Sequence, residues 1–391
     1  MHEKPLLGRR KYSEIRATGY HAMDTYRPPR IFITAGEPSG DAHAARLMAA
    51  IRKQVPDVIF EGFGGPQMEM QGLRSLAHIR DLAVTGFYEV AKRYSFFMDL
   101  LKRCEKAIAV NKPDLFIPVD YPGFNMRLAA RVRSPRLPVV WYIAPQLWAW
   151  GEKRAAELAK VVDRLLVVFP FEVEFFGKHN IKAEYVGHPL IEAMGDAPAV
   201  RDPHRVLLMP GSRRQEIHHH VPLIASVVEH LRKTHPHMEM VVAKSANVDA
   251  ASMQSLIDAG AVLSSDALTE MRRCSAGLIK AGTSTLEATL AGLPFSTFYR
   301  TSTLSFYISK YLAKISSVTL ANLLLKRNVV REFIQSDAKP ELLADDLVDL
   351  LENAPRRHEL DAAMQEVQQM LAGAGASLTA ATIVTSMLSR R

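Results

Sequence analysis

Leu115-Phe116-Ile117-Pro118-Val119-Asp120-Tyr121-Pro122-Gly123 opens the stretch that decides the fold, which runs on to Ile143-Ala144-Pro145-Gln146-Leu147-Trp148-Ala149-Trp150. Five apolar residues make a run of strand length that stops at an acid, and Pro122-Gly123 breaks the backbone before a helical pattern begins. A second apolar run, residues 138–143, leaves its strand through a proline turn carrying two tryptophans. Strand, loop, helix and strand in this order form the unit of a parallel α/β sheet. Ligands of such sheets bind beyond the carboxyl ends of the strands, so Asp120 stands where a carboxylate can touch substrate. An aspartate there can equally cap the next helix, and a tryptophan can equally serve the core; position alone leaves both readings open.

The unit recurs upstream. Residues 31–35 (IFITA) form a strand feeding Gly36-Glu37-Pro38-Ser39-Gly40-Asp41, after which Ala44, Leu47, Met48, Ile51 and Val55 recur at helical spacing. A glycine loop delivering a strand into a helix suits a phosphate or sugar, or is simply a turn. It has neither the G-x-G-x-x-G of a dinucleotide fold nor the G-K-[ST] of a Walker loop. Residues 58–60 suggest the next strand. Downstream, strand 165–168 leads through Phe169-Pro170 to a helix and then to Tyr185-Val186-Gly187-His188-Pro189. Residues 196–203, with Pro198, Asp202 and Pro203, are the least apolar run nearby and read as an interdomain linker.

Beyond the linker the alternation restarts. Strand 205–209 ends in Pro210-Gly211-Ser212-Arg213-Arg214-Gln215-Glu216, where a glycine-serine turn, two arginines and a helix suit a diphosphate. Further strands fit 238–242, 261–263, 277–280 and 295–299. The 277–280 strand runs into Ala281-Gly282-Thr283-Ser284-Thr285-Leu286-Glu287, and two such small-residue loops can converge on one phosphate-sugar crevice. His218-His219-His220 does not read as a metal site, because consecutive helical residues point in different directions and no second ligand cluster is in view. Residues 340–391 read as helices rich in Ala, Leu and Met.

With 391 residues the chain exceeds what one hydrophobic core usually organises, so two domains are expected. The formal charge of +8 attracts nucleic acid, anionic lipid or phosphorylated small molecules, but nucleic-acid recognition motifs are absent. Two cysteines, Cys104 and Cys274, in apolar surroundings indicate neither a disulfide framework nor a thiolate metal site. No segment approaches the ~18 uninterrupted apolar residues of a membrane span. Residues 1–30, basic and polar with no apolar signal core, read as a disordered extension. Along residues 87–108, Phe97, Leu100, Leu101, Cys104 and Ile108 line one helical stripe. Lys92, Arg93, Lys102, Arg103 and Lys106 flank it, with Phe87, Tyr88, Tyr94 and Phe96 at its start. Such a helix can lie on an anionic bilayer or be an ordinary domain helix with a basic solvated face. Residues 303–315, apolar and aromatic with Lys310 and Lys314, pose the same choice.

Taken together, AGEPSGD at 35–41, GFGGPQM at 62–68, VDYPGFN at 119–125, PQLWAW at 145–150, FPFE at 169–172, VGHP at 186–189, PGSRRQEI at 210–217, GTSTLE at 282–287, FYR at 298–300 and ANLLLKRNVVREFIQ at 321–335 resemble the lipid-A-disaccharide synthase family in content and order. The resemblance covers roughly residues 31–385. It departs at Ala321, where the family commonly has proline, and at Gly123, where it commonly has a second acid.

The resemblance implies a glycosyltransferase of the GT-B kind, with two Rossmann-like domains. Residues 31–196 would bind the acceptor and residues 197–344 the UDP-sugar, while residues 345–391 cross back to complete the first domain. The implied reaction moves 2,3-diacylglucosamine from UDP-2,3-diacylglucosamine to 2,3-diacylglucosamine 1-phosphate (lipid X), with inversion and without a metal or other cofactor. The implied setting is the cytoplasmic face of the inner membrane, peripherally bound. On this reading Asp120 is the general base and Arg213 stabilises the departing diphosphate. Gly211, Ser212, Gly282, Thr283, Ser284, Glu287 and Asn322 serve the donor; Gly36, Glu37, Ser39, Asp41, Asn125 and Trp148 serve the acceptor; His188 sits near the hinge. Oligomeric state is left open, a homodimer being one option. A UDP-sugar enzyme with a soluble substrate, such as an epimerase, and a membrane-associated binding protein without turnover are the rival readings.

Overall fold

The computed structural model describes residues 27–82, 94–149, 151–195, 201–245, 248–301, 317–373 and 375–388. Several expectations fall partly outside these: residues 1–26, Phe87, Tyr88, Lys92 and Arg93, Trp150, residues 196–200 of the linker, and residues 303–315.

The first sheet is built from β1 (Arg30–Ala35), β2 (Ile59–Gly64), β3 (Leu73–His78), β4 (Leu115–Val119), β5 (Val140–Tyr142), β6 (Arg164–Val167) and β7 (Ala183–Tyr185), all parallel, in the order β3-β2-β1-β4-β5-β6-β7. The second contains β8 (Asp202–Met209), β9 (Glu239–Ala243), β10 (Val262–Ser264), β11 (Cys274–Lys280), β12 (Phe295–Tyr299) and β13 (Glu332–Ile334), again parallel, in the order β10-β9-β8-β11-β12-β13. Helices covering both faces of a parallel sheet demand apolar residues on both sides of its central strands, and every residue of β4 and β11 is buried.

In both sheets the strand order reverses at the centre, between β1 and β4 and between β8 and β11, which is where ligands of doubly wound sheets bind. Register pairs Ala35 with Val119 and Met209 with Ile279. The Gly36 loop therefore opens beside Asp120, and the Gly211 loop beside the Gly282 loop.

Three strands went unread in the sequence. β3 (LRSLAH), β7 (AEY) and β13 (EFI) are sheet edges, mostly half-buried or exposed, so no continuous apolar run marks them. The expected crossing of residues 345–391 is also corrected. The helices Pro340–Glu352 and Ala354–Leu371 stay with the second domain, where Leu343, Leu347, Leu350, Leu360, Met364 and Val367 enter its core. Only the helix Ala376–Leu388 returns, seating Ala380, Ala381 and Val384 against Leu47, Met48 and Ile51 of the helix Pro38–Gln54. The stretch Ala354–Leu388 has the length and apolarity of a membrane span, but its apolar residues are divided between the two protein cores.

Where the last helix crosses, Tyr185 Oη donates to the Leu371 carbonyl at 3.0 Å, and Ser377 donates through N and Oγ to Glu192 at 2.7 and 2.6 Å. The seam between domains lies at the carboxyl edge of the first sheet. Phe169 and Leu190 sit in the second domain's core, with Ile143, Trp148 and Phe171 packed against it.

Candidate active site

Asp120 is the first residue beyond β4, at φ 45°, and Tyr121 follows at φ 50°. Two successive non-glycine residues in the left-handed region cost on the order of 1–3 kcal/mol each, so the surroundings must impose them. Asp120 donates its N–H to the Tyr142 carbonyl at 3.1 Å. Asn125 Nδ2 donates to the Asp120 carbonyl at 2.8 Å, while its Oδ1 accepts from Thr34 Oγ1 at 2.8 Å. The Tyr121 ring lies against Gly36, where an added Cβ would stand 2.3 Å from a ring carbon, which is why that position is glycine. By contrast, a Cβ on Gly123 would meet nothing within 4 Å.

The Asp120 carboxyl is held mostly out of water with Glu37 nearby. Burial foremost, then the Glu37 charge, push its pKa up to about 6 against the opposing hydrogen bond from the Tyr121 backbone. A carboxylate tuned there can accept a proton from an alcohol at neutral pH far better than an ordinary aspartate. Glu37 and Ser39 are exposed at the mouth of the same loop.

Three residues expected to touch the acceptor do other work. Asp41 is 1% exposed and accepts the backbone N–H groups of Gly65, Gln67 and Met68 at 2.8, 3.1 and 3.0 Å, so it caps the helix Pro66–Met70 and fixes the loop after β2. Asn125 is fully buried and braces Asp120 from behind, as described. Trp148 donates its indole N–H to Glu172 Oε1 at 3.0 Å and meets Phe171 edge-on at 5.1 Å, so it builds the domain seam. Glu172, itself 1% exposed, also accepts from Val168 N and Phe169 N at 3.2 and 3.1 Å. Burial raises its pKa to about 7, against the hydrogen bonds from Phe169, Trp148 and Val168. His188 packs on Phe169 at 5.1 Å and caps the helix Pro189–Met194 by accepting from Leu190 N at 3.2 Å. Burial, then the neighbouring His43, lower its pKa to about 3, so it is neutral at pH 7.

On the second domain, Gly211 (φ 121°) and Gly282 (φ 128°) turn the chain sharply at the ends of β8 and β11. The Ser212 and Arg213 amides, in the turn expected to meet the diphosphate, already have a partner within the chain. The Glu216 carboxylate takes both, at 3.0 and 3.2 Å. Its other oxygen accepts from Lys280 Nζ at 3.1 Å. Burial works to raise the Glu216 pKa, but Lys280 and the two amides outweigh it and hold the carboxyl below its ordinary range. The Arg213 guanidinium is 3.5 Å from Glu216 and largely exposed, so its charge remains available to a ligand. Thr283 and Ser284 open the helix Thr283–Leu290 with their side chains at least partly exposed. Burial raises the Glu287 pKa while Lys280 opposes.

Asn322, expected at the donor, is 3% exposed and engaged throughout: Oδ1 accepts from Val329 N and Val330 N, both at 2.9 Å, and Nδ2 donates to the Val330 carbonyl at 2.9 Å and to Glu332 at 3.1 Å. It folds the turn between the helix Leu320–Leu325 and β13. His220, from the histidine run, is fully buried and lies between the Pro210 carbonyl (2.6 Å) and the Arg300 backbone N (3.0 Å), joining the ends of β8 and β12. Glu216 and Lys280 were missed in the sequence. Arg213-x-x-Glu216 has the spacing of a helix capping box, and a lone lysine ending the buried run GLIK before a glycine loop was the second signal.

The structure thus gathers Asp120, Glu37, Gly36 and Tyr121 at one strand-order reversal, and Arg213, Glu216, Lys280 and the Gly282 loop at the other. Among the described residues, the partners named for Asp120 all come from the first domain and those named for Arg213 from the second.

A family profile described as Lipid-A-disaccharide synthetase matches residues 31–384. The lipid-A-disaccharide synthase of Anaeromyxobacter sp. (strain K) is 36% identical over 375 residues, covering 92% of this chain and 97% of its own. The chain belongs to the lipid-A-disaccharide synthetase family. As a member of the lipid-A-disaccharide synthetase family it is a glycosyltransferase of lipid A biosynthesis. Its fold is shared more widely. CalG4, the calicheamicin glycosyltransferase, superposes with a TM-score of 0.61 at 15% identity, over 93% of this chain and 99% of that one. UDP-GlcNAc 2-epimerase from Neisseria meningitidis gives 0.59 at 12% identity, over 93% and 99%. At such identities the likeness concerns the fold alone, the arrangement of two parallel α/β sheets seen in this chain.

Proposed function

We propose that the chain transfers 2,3-diacylglucosamine from UDP-2,3-diacylglucosamine to the 6-hydroxyl of 2,3-diacylglucosamine 1-phosphate, giving the β-1,6-linked disaccharide 1-phosphate and UDP with inversion at the anomeric carbon. The observation that carries this reading is the pairing of two strand-order reversals in a member of this family: one bears a carboxyl raised to about 6, the other the exposed Arg213 guanidinium and two glycine turns.

In a single in-line displacement the acceptor oxygen bonds to C1 as the C1–O bond to the diphosphate breaks. Asp120 takes the hydroxyl proton, and UDP leaves with the bonding electrons. Arg213 and the Gly282–Ser284 amides would stabilise the charge growing on the diphosphate, taking the place of a metal ion. Glu37 and Ser39 would orient the acceptor, and Glu287 the ribose. The exposed basic residues Lys102, Arg103 and Lys106, with Tyr94, support a peripheral attachment to the anionic cytoplasmic face of the inner membrane. Thin-layer analysis of the products from UDP-diacylglucosamine and lipid X tests the reaction. A disaccharide 1-phosphate with stoichiometric UDP is expected; equal activity on non-acylated donor would favour a soluble-substrate enzyme, and UDP-sugar binding without product a binding protein.

A further inference from the structure

Glu216 and Lys280 form a buried ion pair that neither the acid–base step nor the leaving group needs for its chemistry. Glu216 is 5% exposed and Lys280 8%. As the third residue of the helix Arg214–Thr234, Glu216 caps its own helix, and a cap alone would explain its bonds to Ser212 N and Arg213 N. A cap does not explain Lys280. This cation comes from the end of the neighbouring strand β11, two residues before Gly282, and reaches the same carboxylate at 3.1 Å. Nor would a cap alone demand the shape of Gly211, where an added Cβ would stand 2.5 Å from Glu216 Oε2. The carboxylate fills the hollow of the glycine turn, holds the Arg213 backbone by its N–H, and is tied across to the second glycine loop.

Resting on the donor site described above, we propose that Glu216 and Lys280 are positioning residues: a strut that sets the distance between the two donor loops and aims Arg213 at the nucleotide diphosphate. The strut also assigns the helix N-terminus to an internal anion. The diphosphate is then met by the Arg213 side chain and the Gly282–Ser284 amides, and not by the Ser212 and Arg213 amides. An ion pair fits this task because breaking it on one side leaves a buried charge uncompensated, which fixes the geometry firmly.

The experiment measures UDP affinity by titration calorimetry, with steady-state constants for both substrates, in the wild type, E216Q, K280M, R213A and the double variant E216Q/R213A. E216Q keeps an oxygen to accept from the two amides but removes the charge facing Lys280. E216Q and K280M are each expected to weaken UDP binding roughly tenfold, the scale of coupling between groups in one network. Their donor KM should rise and their acceptor KM stay as in the wild type. Because Glu216 acts in part through Arg213, E216Q should cost less UDP affinity in the R213A background than in the wild type, the remaining loss coming from the Gly282 loop. Should E216Q fail to fold, E216D, which draws the charge back by one methylene, replaces it with the same expectation.

Wild-type UDP affinity in E216Q and K280M would overturn the strut. So would a loss on adding E216Q to R213A equal to that in the wild type, since additivity means that Glu216 does not act through Arg213. Absence of UDP binding by the wild type would instead remove the donor-site reading beneath it.

Discussion

Replacing Asp120 by Asn removes a charge that the fold holds against its preference. Burial and the Glu37 charge push the Asp120 pKa up to about 6, above the ordinary aspartate value of about 4. A rise of about 2 in pKa corresponds to roughly 3 kcal/mol. The sign follows from proton binding. Between about pH 4 and pH 6 the folded state retains the proton that the unfolded state has released, so stability falls as pH rises across that window and the cost is constant above it. Asp120→Asn should therefore match the wild type below about pH 4, apart from any fixed offset, and gain up to about 3 kcal/mol by pH 8. Asparagine tolerates the left-handed backbone at this position, and that contribution does not depend on pH. Denaturant unfolding of both proteins at pH 4, 5, 6, 7 and 8 measures the difference. Turnover should be lost in the variant, and kcat/KM of the wild type should rise tenfold per pH unit below about pH 6 before levelling. A stability difference that stays constant from pH 4 to pH 8, or one that moves against the variant as pH rises, would refute the reading of Asp120 as a desolvated, repelled base.

Full activity is expected in the presence of a divalent-metal chelator, and its loss would remove the mechanism in which Arg213 and backbone amides replace a metal. Asp41→Ala should lower stability by about 1–3 kcal/mol for each of the two buried N–H groups it orphans, Gly65 and Met68, read by thermal unfolding, with a smaller effect on acceptor KM than Glu37→Ala has. Gly36→Ala should cut turnover by driving the Tyr121 ring off its seat and releasing the strained Asp120 backbone. Sedimentation with anionic vesicles should weaken on replacing Tyr94 by Ala. Tyr94 is the better probe than Phe96 or Phe97, because those two are half-buried against the first domain's core and their loss would also disturb the fold.

How much could be read in advance follows from what burial does to sequence. β4 and β11 announced themselves because a strand covered on both faces must be apolar throughout, and so the loops after them, with Asp120 and Gly282, could be placed. The edges β3, β7 and β13 escaped because half-exposed strands follow no such constraint. Polar residues were harder. A carboxylate in a glycine loop has the same one-letter signature whether it binds a sugar, as proposed for Glu37, or satisfies three backbone amides, as Asp41 does. The internal partners of Asn125 and Asn322 were illegible for the same reason: they include backbone groups of nearby loops and side chains brought close only by the fold, which no spacing encodes. Lys280 hid inside a strand because its partner, Glu216, lies 64 residues upstream.

The chain passes between its two halves twice, once after Gly195 and once between Leu371 and Ala376, and Glu192 fastens the second passage beside the first through Ser377. A cut anywhere between Gly195 and Arg201 would therefore not free the halves. The carboxyl-terminal fragment would still carry the helix Ala376–Leu388, whose apolar face completes the amino-terminal fragment's interior, so the nicked protein should travel as one particle and two separately made pieces should reassemble.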